Sequence, residues 1–335
     1  MENSEYATAP VQIIRVNNST FAYRLFGNNS RTQQDDGDDD VPLLLPTHFR
    51  SRLDFWDPAL INALATQRRL LLLDNHGSAE PQSLKGSKRT ARPDARRTQT
   101  ATTSPATALS FQFWAREIVA LIKALGFKQV DVLGFSMGGF IAQMLALDAP
   151  PGLIRKLILA GTAPSQGPGV ESGDMQYFQN LTNAVTDGDV KAGFLAGFFG
   201  LSEDRQKTGE KWWNRITSCS SMWPFVSTND IDGQITAMMR WYGLTHRDEG
   251  SYDRLGEISC PVLILCGQRD KLVPEQNSIL LWQKISQANP NVHIHMYPES
   301  GHGFMFEYHH HCARLVNEFL DERVKVQCSC EYCRY

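Results

Sequence analysis

The sequence predicts an α/β fold, a mostly parallel eight-stranded sheet flanked by helices and interrupted once by an inserted helical lid. Three observations carry this. Short apolar runs alternate with longer amphipathic stretches, as strands do when helices connect them. The runs are continuously apolar, the mark of strands buried on both faces. Residues 165–256 break the alternation, with no convincing buried strand and a high density of aromatic residues.

In chain order, residues 11–16 and 20–26 read as two strands joined by the turn Asn17-Asn18-Ser19, a hairpin. Buried strands follow at 41–45, 70–73, 130–133, 157–160, 262–266 and 292–297. Helical periodicity fits 58–66, 113–125, 137–147, 276–285 and 308–320. Residues 1–164 and 257–322 are thus expected to form one core in two parts, with 165–256 as the lid and 323–335 as an irregular tail.

The lid segment carries Tyr177, Phe178, Phe194, Phe198, Phe199, Trp212, Trp213, Trp223, Phe225, Trp241 and Tyr242. Helices with this much aromatic surface must bury it. The segment is expected to fold over the sheet and wall an apolar pocket, with Trp213 and Trp241 as substrate-binding residues. Two other stretches do not read as packed protein. Residues 31–40 are acidic and expected as a solvated insertion. Residues 77–107 are basic and almost free of large apolar side chains, so they are expected as a disordered insertion. No aromatics are interleaved with those basic residues, which argues against nucleic acid.

Bulk properties narrow the function class further. A net charge of -3 favours neither nucleic acid nor an anionic membrane as partner. The N-terminal MENSEYATAP lacks a basic start followed by an apolar stretch, and no apolar run reaches the roughly 18 residues of a spanning helix. Cys219, Cys260, Cys266 and Cys312 are scattered without a framework spacing, which suits a reducing compartment. A cytoplasmic protein is expected, with no membrane insertion. Cys328, Cys330 and Cys333 lie in the tail, near His309, His310 and His311 in sequence, but C-x-C-x-x-C is not a strong zinc pattern, so no metal is expected.

The chemistry is carried by "VDVLGFSMGGFIAQML", residues 130–145. Gly134-Phe135-Ser136-Met137-Gly138 is G-x-S-x-G between a strand and a helix, where the serine stands on a sharp turn and its hydroxyl projects above the sheet edge. The helix beginning at Met137 points free N–H groups toward a developing oxyanion. A serine needs a base to take its proton, and the base needs an acid to orient it. "VLILCGQRDKLVP" supplies Asp270 after one late strand, and "VHIHMYPESGHGFMF" supplies His302 after the next.

Other candidates read as structural. His293 and His295 are expected on opposite sides of the sheet, and the 309–311 histidines as a surface run on a helix. Asp131, Asp148 and Glu299 are expected to face water.

On these motifs the chain resembles the α/β-hydrolase superfamily, in particular its small serine esterases and cofactor-free haloperoxidase-like members. "HFRSRLDFWDPALINALA", "GFSMGGFIAQMLALDAP", "GQRDKLVP" and "YPESGHGFMF" look like family elements in their expected order, covering roughly 10–74 and 111–322. The resemblance implies a Ser136–His302–Asp270 triad, an oxyanion hole from the N–H groups of Phe49 and Met137, and substrate contacts from His48 and Phe135. It requires no cofactor.

Two departures stand out. The loop after the third strand usually reads His-Gly-x, and here it reads Thr47-His48-Phe49, with His48 in the place of the glycine. After the fourth strand, "LLLDNHG" runs into the basic stretch instead of a helix, as translated non-coding sequence would do. The leading expectation is a serine hydrolase acting on a small apolar ester, thioester or lactone. A perhydrolase with the same triad, or a non-catalytic ligand-binding protein of the same fold, is the alternative. Fold and triad name neither the substrate nor the oligomeric state.

Overall fold

Eight strands form one sheet: β1 (Gln12–Val16), β2 (Ser19–Gly27), β3 (Leu43–Pro46), β4 (Arg69–Leu73), β5 (Val130–Phe135), β6 (Ile154–Ala160), β7 (Val262–Gly267) and β8 (Val292–Tyr297). Their order is β1-β2-β4-β3-β5-β6-β7-β8. The hairpin β1–β2 and the pair β2–β4 are antiparallel, and every pairing from β4 to β8 is parallel. The expected eight-stranded, mostly parallel sheet is what the chain forms. The computed structural model describes residues 5–17, 19–28, 41–74, 110–219, 225–226, 231–243 and 249–322. The acidic stretch 31–40, the basic stretch 77–107, Trp223, and the tail 323–335 with Cys328, Cys330 and Cys333 lie outside the described residues.

The centre of the sheet explains why its strands read as continuous apolar runs. All side chains of β3, β5 and β7 are buried. Each fully buried Leu, Ile or Val there contributes about 1.5–3 kcal/mol relative to exposure. The edge strand β8 is different, with His293 and Ile294 exposed.

The helices are α1 (Glu5–Thr8), α2 (Pro58–Ala65), α3 (Phe111–Ala124), α4 (Met137–Asp148), α5 (Met175–Thr182), α6 (Asp187–Phe199), α7 (Glu203–Cys219), α8 (Asp232–Trp241), α9 (Glu275–Ser286), α10 (Phe304–Glu307) and α11 (His309–Asp321). Local chemistry sets several starts. Asp57 caps α2 by accepting from the Ala59 N–H at 3.0 Å, with Pro58 in the first turn, where no donor is needed. Ser110 caps α3 through the Phe113 N–H, and Thr186 with Asp189 forms a reciprocal capping box on α6. Helix α2 packs against α11, and α3 against α4. Helices α5 to α8 fall between β6 and β7. Among the described residues, no helix is long and apolar enough to cross a membrane.

Two expectations are corrected. Asp131 does not face water. It is fully buried on central strand β5, where Arg155 of β6 binds both carboxylate oxygens. Burial raises its pKa, and the Arg155 hydrogen bonds and charge oppose that shift. His293 and His295 lie on one side of the sheet, since residues two apart on a strand share a face. Both face α11, His293 against Phe319 and His295 against His311. Asp148 is half-buried and paired with Arg254, whereas Glu299 is solvent-facing and paired with Arg269.

Candidate active site

Ser136 is the residue at which β5 stops and α4 starts, and its backbone is strained. Its φ is 55° and its ψ is −125°, a conformation side chains rarely adopt. The surroundings hold it there. The Ser136 N–H donates to the Ala160 carbonyl at 2.9 Å, while its own carbonyl accepts from the Gly139 N–H at 2.8 Å and from Thr162 Oγ1 at 2.9 Å.

The flanking glycines are explained by approach distance. A Cβ on Gly134 would stand 2.5 Å from the Ala142 Cβ and 2.6 Å from the Gly138 carbonyl oxygen. One on Gly138 would stand 2.8 Å from the carbonyl oxygen of Pro46, at the end of β3. The elbow can pack against the strand beside it only if these positions carry no side chain.

Asp270 follows β7 and His302 follows β8, so both reach the same end of the sheet as Ser136. His302 Nδ1 lies 2.6 Å from Asp270 Oδ2, and both residues are buried. The second oxygen, Oδ1, accepts from the N–H groups of Leu272 at 2.9 Å and Val273 at 2.8 Å. The carboxylate therefore cannot rotate without losing three hydrogen bonds. Ser136 and His302 line one cavity of about 80 Å³ together with His48, Phe49 and Met137.

The rest of the cavity wall is apolar apart from Tyr242. Phe140 comes from α4, Phe178 and Leu181 from α5, Phe194 and Phe198 from α6, Met238 from α8, and Leu272 and Val273 from the Asp270 loop. A second cavity of about 260 Å³ shares Phe178, Met238, Tyr242 and Leu272 with the first.

His48 lies where the sequence reading allowed, at the cavity wall. It is 2% exposed, its ring is surrounded by Phe55, Phe135, Phe194 and Phe198, and its Nε2 has no hydrogen-bond partner. Burial, reinforced by the charge of His302, holds its pKa well below the usual histidine value against an opposing backbone hydrogen bond at Phe49. His48 is thus a neutral imidazole.

Phe135, Trp213 and Trp241, expected as substrate contacts, line neither of these two cavities. Phe135 packs beneath the site with its ring centroid 4.8 Å from that of His302. Trp213 stacks on Phe225 at 5.2 Å, and Trp241 stacks on Phe140 at 5.1 Å. Of the aromatic residues of the 165–256 segment, those lining the catalytic cavity are Phe178, Phe194, Phe198 and Tyr242, which the aromatic pattern contained but could not single out. Leu272 and Val273 were also missed. Their signal was present, since an aspartate two and three residues before free N–H groups forms an Asx turn. The thiols of Cys260, which is half-buried, and of Cys266 and Cys312, which are buried, offer no rival nucleophile. Burial pushes Cys260, Cys266 and Cys312 up to about 12.

Comparison with known proteins matches this architecture. The family described as "alpha/beta hydrolase fold" matches residues 43–308, and the chain belongs to that family. It is 28% identical over 210 residues to 2-hydroxy-6-oxononadienedioate/2-hydroxy-6-oxononatrienedioate hydrolase 1 of Dechloromonas aromatica, covering 62% of this chain and 67% of that protein. It is 27% identical over 210 residues to the serine hydrolase BPHL of Mus musculus, covering 63% of this chain and 61% of that protein. The chain thus spans about two thirds of these relatives' own length. An alpha/beta hydrolase fold protein from Chitinophaga pinensis superposes with a TM-score of 0.71 at 28% identity, covering 95% of this chain and all of that one.

Proposed function

We propose that this protein is a serine hydrolase that works through an acyl-enzyme on a small, neutral, apolar ester, thioester or lactone. Ser136 Oγ attacks the carbonyl carbon, and His302 takes the hydroxyl proton and returns it to the leaving group. Asp270 fixes the imidazole with Nδ1 protonated, leaving Nε2 as the base, and the N–H groups of Phe49 and Met137 stabilise the oxyanion. Water then repeats the sequence on the acyl-enzyme. Helices α5 to α8 serve as the lid. No step calls for a cofactor.

One observation carries this reading: the 2.6 Å contact between His302 and Asp270, with His302 on the same cavity as a strained serine at a strand–helix turn. The relatives named above are hydrolases, which supports the reaction class. The preference for a neutral substrate is supported by the wall, where Phe, Leu, Met and Val side chains surround Ser136. A carboxylate placed against them would be costly to desolvate.

Labelling with a fluorophosphonate probe tests the reading. The adduct is expected on Ser136 by peptide mapping and lost in Ser136→Ala. A folded wild-type protein that never labels would overturn it and favour a ligand-binding role.

A further inference from the structure

His302 stands on the short connection between β8 and α10, and that connection is gripped from three sides. On the sheet side, the Arg269 N–H donates to the Ser300 carbonyl at 2.8 Å. From α6, the Phe198 carbonyl accepts from the Gly303 N–H at 2.8 Å, and it lies so close that a Cβ on Gly301 would come within 2.6 Å of it. From α10, the Glu307 carboxylate accepts from Ser300 Oγ at 2.5 Å. The same carboxylate binds Arg205 of α7, whose Nη1 donates to both oxygens at 3.0 and 2.9 Å.

A solvent-exposed ion pair of this kind would contribute little. This one is different in its connections. Glu307 is half-buried and joins the residue two before His302 to the helical insertion, with charge-assisted bonds that fix its orientation. Arg205 is in turn next to Gln206, whose Nε2 donates to the carbonyls of Leu195 and Gly200 at the end of α6. Glu307, α6 and α7 therefore form one bracket around the histidine loop.

We propose that Glu307 is a positioning residue for His302, acting through Ser300 and Arg205, and that α6 and α7 are part of the histidine's mount. The proposal rests on the serine-hydrolase reading above. If α6 and α7 swung away, the Gly303 N–H and the Glu307 carboxylate would lose their partners and the His302 loop would relax. The second, larger cavity adjoins the catalytic one through Phe178 of α5 and Met238 of α8, which are not part of this bracket.

The test compares wild type with Glu307→Ala, Glu307→Gln and Arg205→Met, well below their unfolding temperatures. The rate constant for fluorophosphonate labelling and kcat for a short-chain ester are expected to fall about tenfold or more in Glu307→Ala, because small misplacements of a base are costly. KM should stay within about twofold, since ground-state binding is untouched. Glu307→Gln, which still accepts from Ser300, should recover part of the loss. Arg205→Met added to Glu307→Ala should cost nothing more, as both remove one contact. A folded Glu307→Ala with wild-type kcat and labelling but a lower Tm would show a purely structural role and overturn the proposal. Should that variant not fold, wild-type rates in Arg205→Met and Glu307→Gln would overturn it equally. Absence of labelling in wild type would instead remove the hydrolase reading, and the proposal with it.

Discussion

The imidazole of His302 and the carboxylate of Asp270 meet at 2.6 Å, and the free oxygen of that carboxylate is held by the Leu272 and Val273 N–H groups. An acceptor fixed in this way selects the tautomer with its proton on Nδ1. Asp270→Asn keeps the shape but offers a donor to the same nitrogen. Steady-state kinetics should show kcat lower by about 10³–10⁴-fold with little change in KM. A loss under tenfold would mean that Asp270 does not orient the base.

Ser136 is held at a φ of 55° with a Cβ that this conformation disfavours. Glycine adopts it freely. Ser136→Ala keeps the strain and Ser136→Gly relieves it, by about 1–3 kcal/mol before the flexibility glycine adds to the unfolded chain. Ser136→Gly is expected to melt above Ser136→Ala in thermal unfolding. The reverse order would show that the turn is not strained.

Asp74 directly follows β4 and is buried, with Oδ1 accepting from the Leu53 N–H. Burial raises its carboxyl to about 7 from an ordinary value near 3.8, against the Leu53 bond and the charge of Arg52. Between about pH 4 and pH 7 the unfolded chain has released this proton while the folded chain keeps it. Stability from this group is full below about pH 4 and is lost as pH rises to about 7, by an amount on the order of 4 kcal/mol. Asp74→Asn removes that slope. Urea unfolding at pH 5 and pH 8 should find the variant gaining on wild type at the higher pH, and a constant difference would refute this.

His48 has the opposite sign. Its pKa is lowered in the folded protein by burial and by His302, so the unfolded chain takes up the proton first. Its contribution is present above the ordinary histidine value of about 6.5 and is lost as pH falls below it. His48→Phe lacks this term and also removes the unpartnered Nε2. Melting temperatures at pH 5.5 and pH 8 should show the variant more stable relative to wild type at pH 5.5. An equal gap at both would mean that folding leaves the proton affinity of His48 unchanged, contradicting this account.

Much of the architecture was legible because it depends on local pattern. Strand β8 runs over 292–297 as expected, and the strand–turn–helix around Ser136 reads directly from its glycines, whose approach to Pro46 and Ala142 leaves no room for a side chain. The positions of Asp270 after β7 and His302 after β8 could be read from the order of the late strands. What was not legible depends on which partner a residue meets. Trp213 and Trp241 share their apolar periodicity with Phe194 and Phe198, and only packing decides that the phenylalanines face the serine. Asp131 read as solvated because its partner, Arg155, lies on another strand. Glu307 gave no signal at all, since its partners lie at 205 and 300.

The central claim is that Ser136 and His302 act as one unit, and non-additivity measures that most directly. We expect kcat for a short-chain ester to fall by about 10⁴–10⁶-fold in Ser136→Ala and in His302→Ala, and no further in the double variant. Losses that multiply in the double variant would contradict the account, because two residues sharing one proton transfer cannot be removed twice.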